Sequence, residues 1–248
     1  MGRIKEMMQN NHFQDFLIID IETVSGNEDV EQMSPSLRKH WERKAGFIRN
    51  SDEKTPEELY SDRAAIYAEF GKIIVIGMAF YHELKGKPAL RVKSIASDNE
   101  KELLTAFKNF IESKFDQDNL KLCAHNGKEF DYPYLCRRML INDIKIPWSL
   151  NMTGKKPWEV NHIDTMELWK FGDWKSFTSL DLLTSIFGIP SSKTELDGSM
   201  VTKTYYEEKD GLKKIEEYCQ KDVIATAQLY LRLNNLPLID PDQINIVK

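Results

Sequence analysis

The stretch FLIIDIET, residues 16–23, decides the fold that the sequence predicts. It opens with a continuous apolar run, which is typical of a central strand buried on both faces. Asp20 and Glu22 stand in this run at positions i and i+2. Because side chains alternate along a strand, both carboxylates point to the same face, with Cα atoms about 7 Å apart. They are either a functional pair of acids or a solvated strand end that runs into a loop.

The segments around this strand predict an α/β fold with a mixed sheet. Residues 72–81 and 89–96 form a predicted antiparallel hairpin. Two further strands are predicted at 120–124 and 162–165, and they alternate with helices. The predicted helices cover 100–115 (capped by Asp98), 132–141, 179–187 and 212–233, with a polar loop at 190–204.

Residues 25–70 interrupt this pattern. They hold a long charged stretch and then Thr55, Pro56 and Glu58, whose spacing is typical of an N-cap, an N1 proline and a capping-box partner. We expect a mostly helical insertion inside a single domain that spans residues 1–248. Residues 234–248 are expected to form a C-terminal tail.

Composition excludes several classes of protein. The net charge of −5 argues against a protein that coats nucleic acid, but not against an enzyme that holds a short piece in one cleft. The three cysteines have no CxxC spacing, so neither a disulfide framework nor a zinc ribbon is expected. The longest apolar run, 73–81, is too short to cross a bilayer, which takes about 20 residues. With no secretory signal at the N-terminus, we expect a cytoplasmic protein that makes no membrane contact.

The last predicted helix carries a carboxylate inside its apolar stripe. Asp222 lies between Cys219 and Thr226 on that face, where an unpaired charge is costly. Tyr218 precedes it by four residues, so the phenol and the carboxylate share a face. The alternative is an aspartate at the edge of the stripe beside a core tyrosine.

A fourth acid, Asp131, precedes the helix predicted at 132–141, where it could simply be an N-cap. Taken together, clustered carboxylates repel one another unless a cation neutralises them, and oxygen ligands select Mg²⁺ or Mn²⁺. The sequence has no Walker lysine motif, GxGxxG or GxSxG. Metal-assisted hydrolysis of a phosphodiester is therefore the reaction that these residues favour.

Three motifs in this order resemble those of the DEDD 3′–5′ exonucleases: DIET at 20–23, NGKEFD at 126–131 and YCQKD at 218–222. Tyrosine rather than histidine four residues before the last aspartate resembles the DEDDy branch. The chain is most similar to stand-alone predicted exonucleases related to the exonuclease domain of family-B DNA polymerases. The likeness covers most of the chain, including 58–72 and 197–201.

This resemblance implies an RNase H-like fold, with a five-stranded mixed sheet flanked by helices on both sides. It implies cleavage at the 3′ end of single-stranded DNA with two divalent ions, Mg²⁺ or Mn²⁺. Asp20, Glu22 and Asp222 would hold the ion on the nucleophile side. Asp20 would bridge to a second ion that Asp131 supports, and Tyr218 would orient the attacking water.

The resemblance also assigns substrate contacts. Thr23 and Asn126 would contact the terminal nucleotide, and Phe130 would shape the pocket beside Asp131. No polymerase domain is expected in cis, protein partners are unknown, and the 25–70 insertion is expected to frame the entrance to the cleft. Two alternatives stay open: the same chemistry on RNA ends, and a non-catalytic nucleic-acid-binding module of the same fold.

Histidines and tryptophans form the remaining candidates. We expect His125 and His162 to be structural histidines with satisfied hydrogen bonds. Tryptophans interleave with lysines, which is typical either of core rings with surface lysines or of a surface that stacks single strands. These residues are Trp148, Trp158, Trp169 and Trp174, with Lys155, Lys156, Lys170 and Lys175.

Overall fold

A mixed sheet of six strands forms the centre of the computed structural model, which describes Ile4 and residues 13–48, 53–173, 177–190 and 196–247. The spatial order is β5-β4-β1-β2-β3-β6. β1 is antiparallel to β2 and parallel to β4, so it lies inside the sheet as the apolar run predicts. The strands are β1 Phe16–Ser25, β2 Gly71–Leu84, β3 Lys87–Ala96, β4 Lys121–Ala124, β5 Ile163–Asp164 and β6 Ile244–Ile246.

Helices cover both faces of this sheet. The described residues contain α1 Pro35–Ala45, α2 Pro56–Arg63, α3 Glu100–Lys114, α4 Asp131–Ile141, α5 Thr165–Lys170, α6 Leu180–Phe187, α7 Val201–Glu207 and α8 Gly211–Leu233. On one face, Leu17 and Ile19 of β1 pack in one core with residues of α3 and α4. On the other face, Phe16 and Ile18 pack with Val223 of α8. Even-numbered residues of β1 therefore face α8.

The helical character predicted for 25–70 is confirmed for the described residues of that segment. Thr55 forms the expected capping box with Glu58 at the start of α2. Trp41 of α1 is fully buried, and its ring nitrogen donates to the carbonyl of Pro56 at 2.7 Å. This bond and a small separate core join α1 to α2.

Several short elements differ from the prediction. The sheet has a sixth strand, β6, inside the segment expected to be a tail, and it pairs in parallel with β3. α5 was not predicted, and α7 begins within the predicted 190–204 loop, of which 191–195 lie outside the described residues. The cap of α3 is Asn99 rather than Asp98, and its side chain accepts from the amide of Glu102 at 3.3 Å.

Candidate active site

The two acids of β1 lie on the strand face that packs against α8. Asp20 is half-buried and Glu22 is buried, and both continue the even-numbered series of Phe16 and Ile18. The pairing of β1 with β2 shifts immediately after Glu22, because Ile74 of β2 has no partner on β1. Such a bulge bends the strand that carries the extra residue, here β2, and it interrupts the regular ladder directly beside Glu22.

A glycine lets α8 approach this end of β1. Gly77 of β2 pairs with Asp20, and a Cβ on it would lie 2.7 Å from Val223 Cγ2 and 2.9 Å from Cys219 Sγ. No real Cβ tolerates such distances, so the helix can lie this close only against glycine. As a result Cys219 Sγ lies 3.3 Å from Asp20 Oδ2, to which its thiol donates.

Asp222 is buried on the same helix, one turn beyond Tyr218. The hydroxyl of Tyr218 hydrogen-bonds to the Asp222 carboxylate. Burial is the main cause that raises the pKa of Tyr218 above its ordinary value, and the neighbouring charges of Asp222 and Glu22 add to it. The phenol therefore stays protonated and acts as a hydrogen-bond donor rather than as a base.

Asp131 comes to the cluster from the other side of β1. Its Oδ1 accepts the backbone N–H of Ile21 at 3.2 Å, which ties the start of α4 to the strand between the two acids. The structure corrects the N-cap alternative, since Phe130 occupies the cap position and Asp131 is the first helical residue. Its carboxylate therefore interacts with its own backbone N–H and with that of Ile21 on the strand.

Electrostatics indicate that this cluster needs a cation. Burial raises the pKa values of Asp20 and Glu22 well above their usual range, and the charges of Asp131 and Asp222 add to both shifts. Burial also raises the pKa of Asp131 to about 7. Within the described residues, no lysine or arginine forms an ion pair with Asp20, Glu22 or Asp131. A bound divalent ion would remove this repulsion, so the residues present fit a metal.

The donor set favours a hard ion. One carboxylate oxygen from each of Asp20 and Glu22 lies within 4.8 Å of the other and of Cys219 Sγ. Burial and the adjacent carboxylates raise the pKa of Cys219, so its sulfur stays a thiol and not the thiolate that zinc prefers. Carboxylate oxygens remain as ligands, and they suit Mg²⁺ or Mn²⁺.

The three expected substrate contacts lie close in sequence to these acids, Thr23 after Glu22 and the other two before Asp131. Thr23 follows Glu22 on β1, and its side chain hydrogen-bonds to the hydroxyl of Tyr134. Asn126 adopts a left-handed conformation (φ 64°) in the loop that leads to Asp131. The Phe130 ring lies 5.3 Å from that of Tyr134 between centroids. Thr23 and Phe130 thus both contact Tyr134.

One positioning residue was missed by the sequence reasoning. Asp164, buried at the end of β5, accepts from the backbone N–H groups of Asn126 at 2.9 Å and Lys128 at 3.1 Å. It also caps α5 by accepting from Met166. Its carboxylate therefore holds the loop that carries Asn126. The sequence feature that could have identified Asp164 is its position just before Thr165 and Met166, because an aspartate there is typical of a helix N-cap.

The two candidate histidines have structural partners, as expected. His125 contacts Thr165 Oγ1 and the carbonyl of Thr178, both at 2.9 Å. His162 is buried, and its Nδ1 accepts from the amide of Leu122 at 3.2 Å. Burial lowers the pKa of His162 to about 4, so it is neutral and offers no charge for catalysis.

The tryptophans divide into two groups. Trp169 is half-buried and packs edge-on against Phe187, as the core interpretation predicts. Trp148 and Trp158 are 65% and 77% exposed, so that interpretation is wrong for them. Trp174 and Lys175 lie outside the described residues.

A comparison of sequences gives the family. A sequence model of the family described as "Predicted 3'-5' exonuclease related to the exonuclease domain of PolB" matches residues 66–238. The chain belongs to this family. Asp131, Tyr218 and Asp222 lie inside the matched segment, whereas Asp20 and Glu22 precede it. Their link to the family's motifs therefore depends on the spatial cluster described above. No protein of curated function matches the chain.

One solved structure supports the fold. The family B DNA polymerase from the hyperthermophilic archaeon Pyrobaculum calidifontis superposes with a TM-score of 0.54 at 15% identity, over 88% of this chain. The chain spans 24% of that polymerase. The RNase domain of the yeast Pop2 protein is a weaker match, with a TM-score of 0.33, 12% identity and coverage of 98% of this chain and 86% of that domain. The fold is the RNase H-like arrangement expected for this exonuclease family.

Among the described residues, no helix combines the length and apolar composition needed to span a bilayer.

Proposed function

We propose that this chain is a metal-dependent 3′–5′ exonuclease that hydrolyses single-stranded DNA and releases nucleoside 5′-monophosphates. One observation carries the proposal: carboxylates from β1, α4 and α8 lie near one another, and burial together with the charges of Asp222 and Asp131 raises the pKa values of Asp20 and Glu22. Burying like charges together is costly, and a bound cation offsets this cost. Family membership supports 3′–5′ exonuclease chemistry at this cluster.

The residues suggest a division of roles. Asp20, Glu22 and Asp222 would hold one Mg²⁺ or Mn²⁺, and Asp20 with Asp131 would hold a second. When bound, such ions polarise the phosphodiester, supply hydroxide at neutral pH and stabilise the leaving oxygen. Tyr218, protonated and bonded to Asp222, would accept a hydrogen bond from the attacking water on its phenol oxygen and so orient that water.

Other residues would hold the substrate and the ligands in place. Thr23 and Asn126 would contact the terminal nucleotide, and Phe130 would bound its pocket. The thiol of Cys219 donates to Asp20 and so fixes the orientation of that carboxylate. The 25–70 insertion would frame the entrance, since α2 contacts both β1 and α7.

A degradation ladder tests this function. Single-stranded DNA labelled at its 5′ end is incubated with the protein and Mg²⁺, Mn²⁺ or EDTA. We expect shortening from the 3′ end with either ion and none with EDTA. Asp222→Asn should abolish the ladder, and Tyr218→Phe should retain a slower one.

The matched control is Glu217→Gln, an exposed acid on the same helix that pairs with Lys213 at 4.0 Å and faces away from the cluster. It should cleave at the wild-type rate. Intact DNA under every metal condition would contradict the proposal and favour a non-catalytic binding module. A ladder on RNA that exceeds the one on DNA would assign the enzyme to RNA ends, because the 2′-hydroxyl distinguishes the two.

A further inference from the structure

A cavity of about 370 Å³ opens beside the segment that leads to Asp131. Its size is within the range of small-molecule clefts, roughly 300–1,000 Å³. Lys128 and Glu129 form one wall, and they precede Asp131 by three and two residues. Three residues of chain span at most about 11 Å, so the Cα atom of Lys128 lies within that distance of the Cα atom of Asp131.

An exposed tryptophan supplies the cavity's main apolar surface. Trp158 lines it and is 77% exposed, held in a short 3₁₀ turn, Pro157–Glu159. Lys156 Nζ lies 5.3 Å from the centroid of its ring. A large exposed ring with a cation beside it is the arrangement on which single-stranded nucleic acids stack.

A second exposed ring adjoins the cavity in sequence. Phe171 stands between Lys170 and Gly172, which both line the cavity, and it is 87% exposed. Its backbone is left-handed, with φ 45°, a conformation that is uncommon for a bulky residue. The turn after α5 therefore holds this ring in solvent at some conformational cost.

The charges of the lining favour a base over a phosphate. Two lysines, Lys128 and Lys170, are offset by Glu129, Glu167 and Asp173. Lys128 and Glu167 also pair with each other at 2.7 Å. A phosphate would gain little from such a lining, whereas a nucleobase offers donors and acceptors to both signs and a flat face to Trp158.

We propose that this cavity binds a nucleobase of the single strand, upstream of the nucleotides at the acid cluster, with Trp158 as its stacking surface. The inference rests on the proposed function, because it takes the strand that enters the active site as its ligand. It assigns to Trp158 affinity for the strand rather than a part in the chemistry.

The test measures binding without cleavage. Fluorescence anisotropy of a labelled single-stranded DNA 20-mer is recorded in EDTA, so the result does not depend on turnover. We expect Trp158→Ala to weaken binding about tenfold, the effect of losing one stacked base. Trp158→Phe should restore most of the affinity because it keeps an aromatic face.

The matched control is Trp148→Ala. Trp148 is also exposed and also has a lysine, Lys155, 6.0 Å from its ring centroid, but it lines a different cavity. Its replacement should change affinity less than twofold. Equal losses for the two variants, or no loss for Trp158→Ala, would overturn the proposal and leave a protein partner as the occupant of the surface.

Salt distinguishes stacking from phosphate contact. The factor by which Trp158→Ala weakens DNA binding should be the same at about 50 and about 200 mM salt, because stacking releases no counterions. A loss that vanishes at high salt would overturn the base assignment. Trp158-dependent binding with no ladder would contradict the proposed catalysis and leave this binding site standing.

Discussion

At the level of single residues, the acids proposed to bind the metal oppose folding in the metal-free protein at neutral pH. A carboxyl whose pKa is raised by folding contributes stability that is complete below its unfolded pKa, about 4. That contribution is lost as the pH rises through the folded pKa, which is about 7 for Asp131. Glu22 and Asp20 add to the effect because their pKa values are raised as well.

We therefore expect the free energy of unfolding, measured with urea in EDTA, to fall between pH 4 and 7. Glu22→Gln should flatten this fall, because it removes one of the repelling charges. Superimposable pH profiles for the two proteins would contradict this account. Glu217→Gln serves again as the control, since its exposed carboxyl forms no part of the cluster.

Asp20, Glu22 and Asp222 were predictable from their positions in the strand and helix patterns, whereas Asp131 was assigned through the family resemblance. Asp20 and Glu22 share one face by strand alternation, and Asp222 interrupts an apolar stripe at helical spacing. Asp164 and Cys219 were not assigned site roles, for different reasons. Asp164 acts through backbone amides that sequence cannot show, and Cys219 is an ordinary small core residue in an apolar stripe.

At the level of elements, the distance between α8 and the sheet is set by one glycine. Gly77→Ala would place a Cβ against Val223 and Cys219, so the helix that carries Asp222 must move away from β1. We expect a loss of about 1–3 kcal/mol in stability, typical of overpacking. Turnover should fall by up to about 100-fold, because small displacements of reacting groups cost that much.

The control for this variant is Gly46→Ala, at the end of α1, where a Cβ would meet only ordinary contacts, the nearest at 3.7 Å. Both variants are compared by urea denaturation and by the rate of the DNA ladder. Full activity in Gly77→Ala would show that the helix position is not critical.

The long elements were predictable, whereas three of the short ones were not. β1, β2, α3 and α8 bury enough apolar side chains to leave a clear period in the sequence. α5, α7 and β6 have six, seven and three residues, so each offers too few positions for a period to be recognised. These elements form because the surrounding core positions them.

At the level of the whole molecule, a bound ion should stabilise the fold. A ligand that binds only the folded state adds about 2.7 kcal/mol at a hundredfold excess over its dissociation constant. For a chain of this size that corresponds to a rise in Tm of about 5–10 °C. We expect this rise on adding Mg²⁺ or Mn²⁺ to EDTA-treated protein, followed by calorimetry. Glu22→Gln should show a much smaller rise, and equal rises would place the ion elsewhere.

The short strands at the two edges of the described sheet affect the tendency of the protein to aggregate at high concentration. β5 has two residues and β6 has three, so each edge strand offers little unpaired backbone to a second molecule. Without β6, the ten-residue β3 would become an edge strand with a row of unpaired N–H and C=O groups. The last described residues thus protect identical copies from joining strand to strand into aggregates.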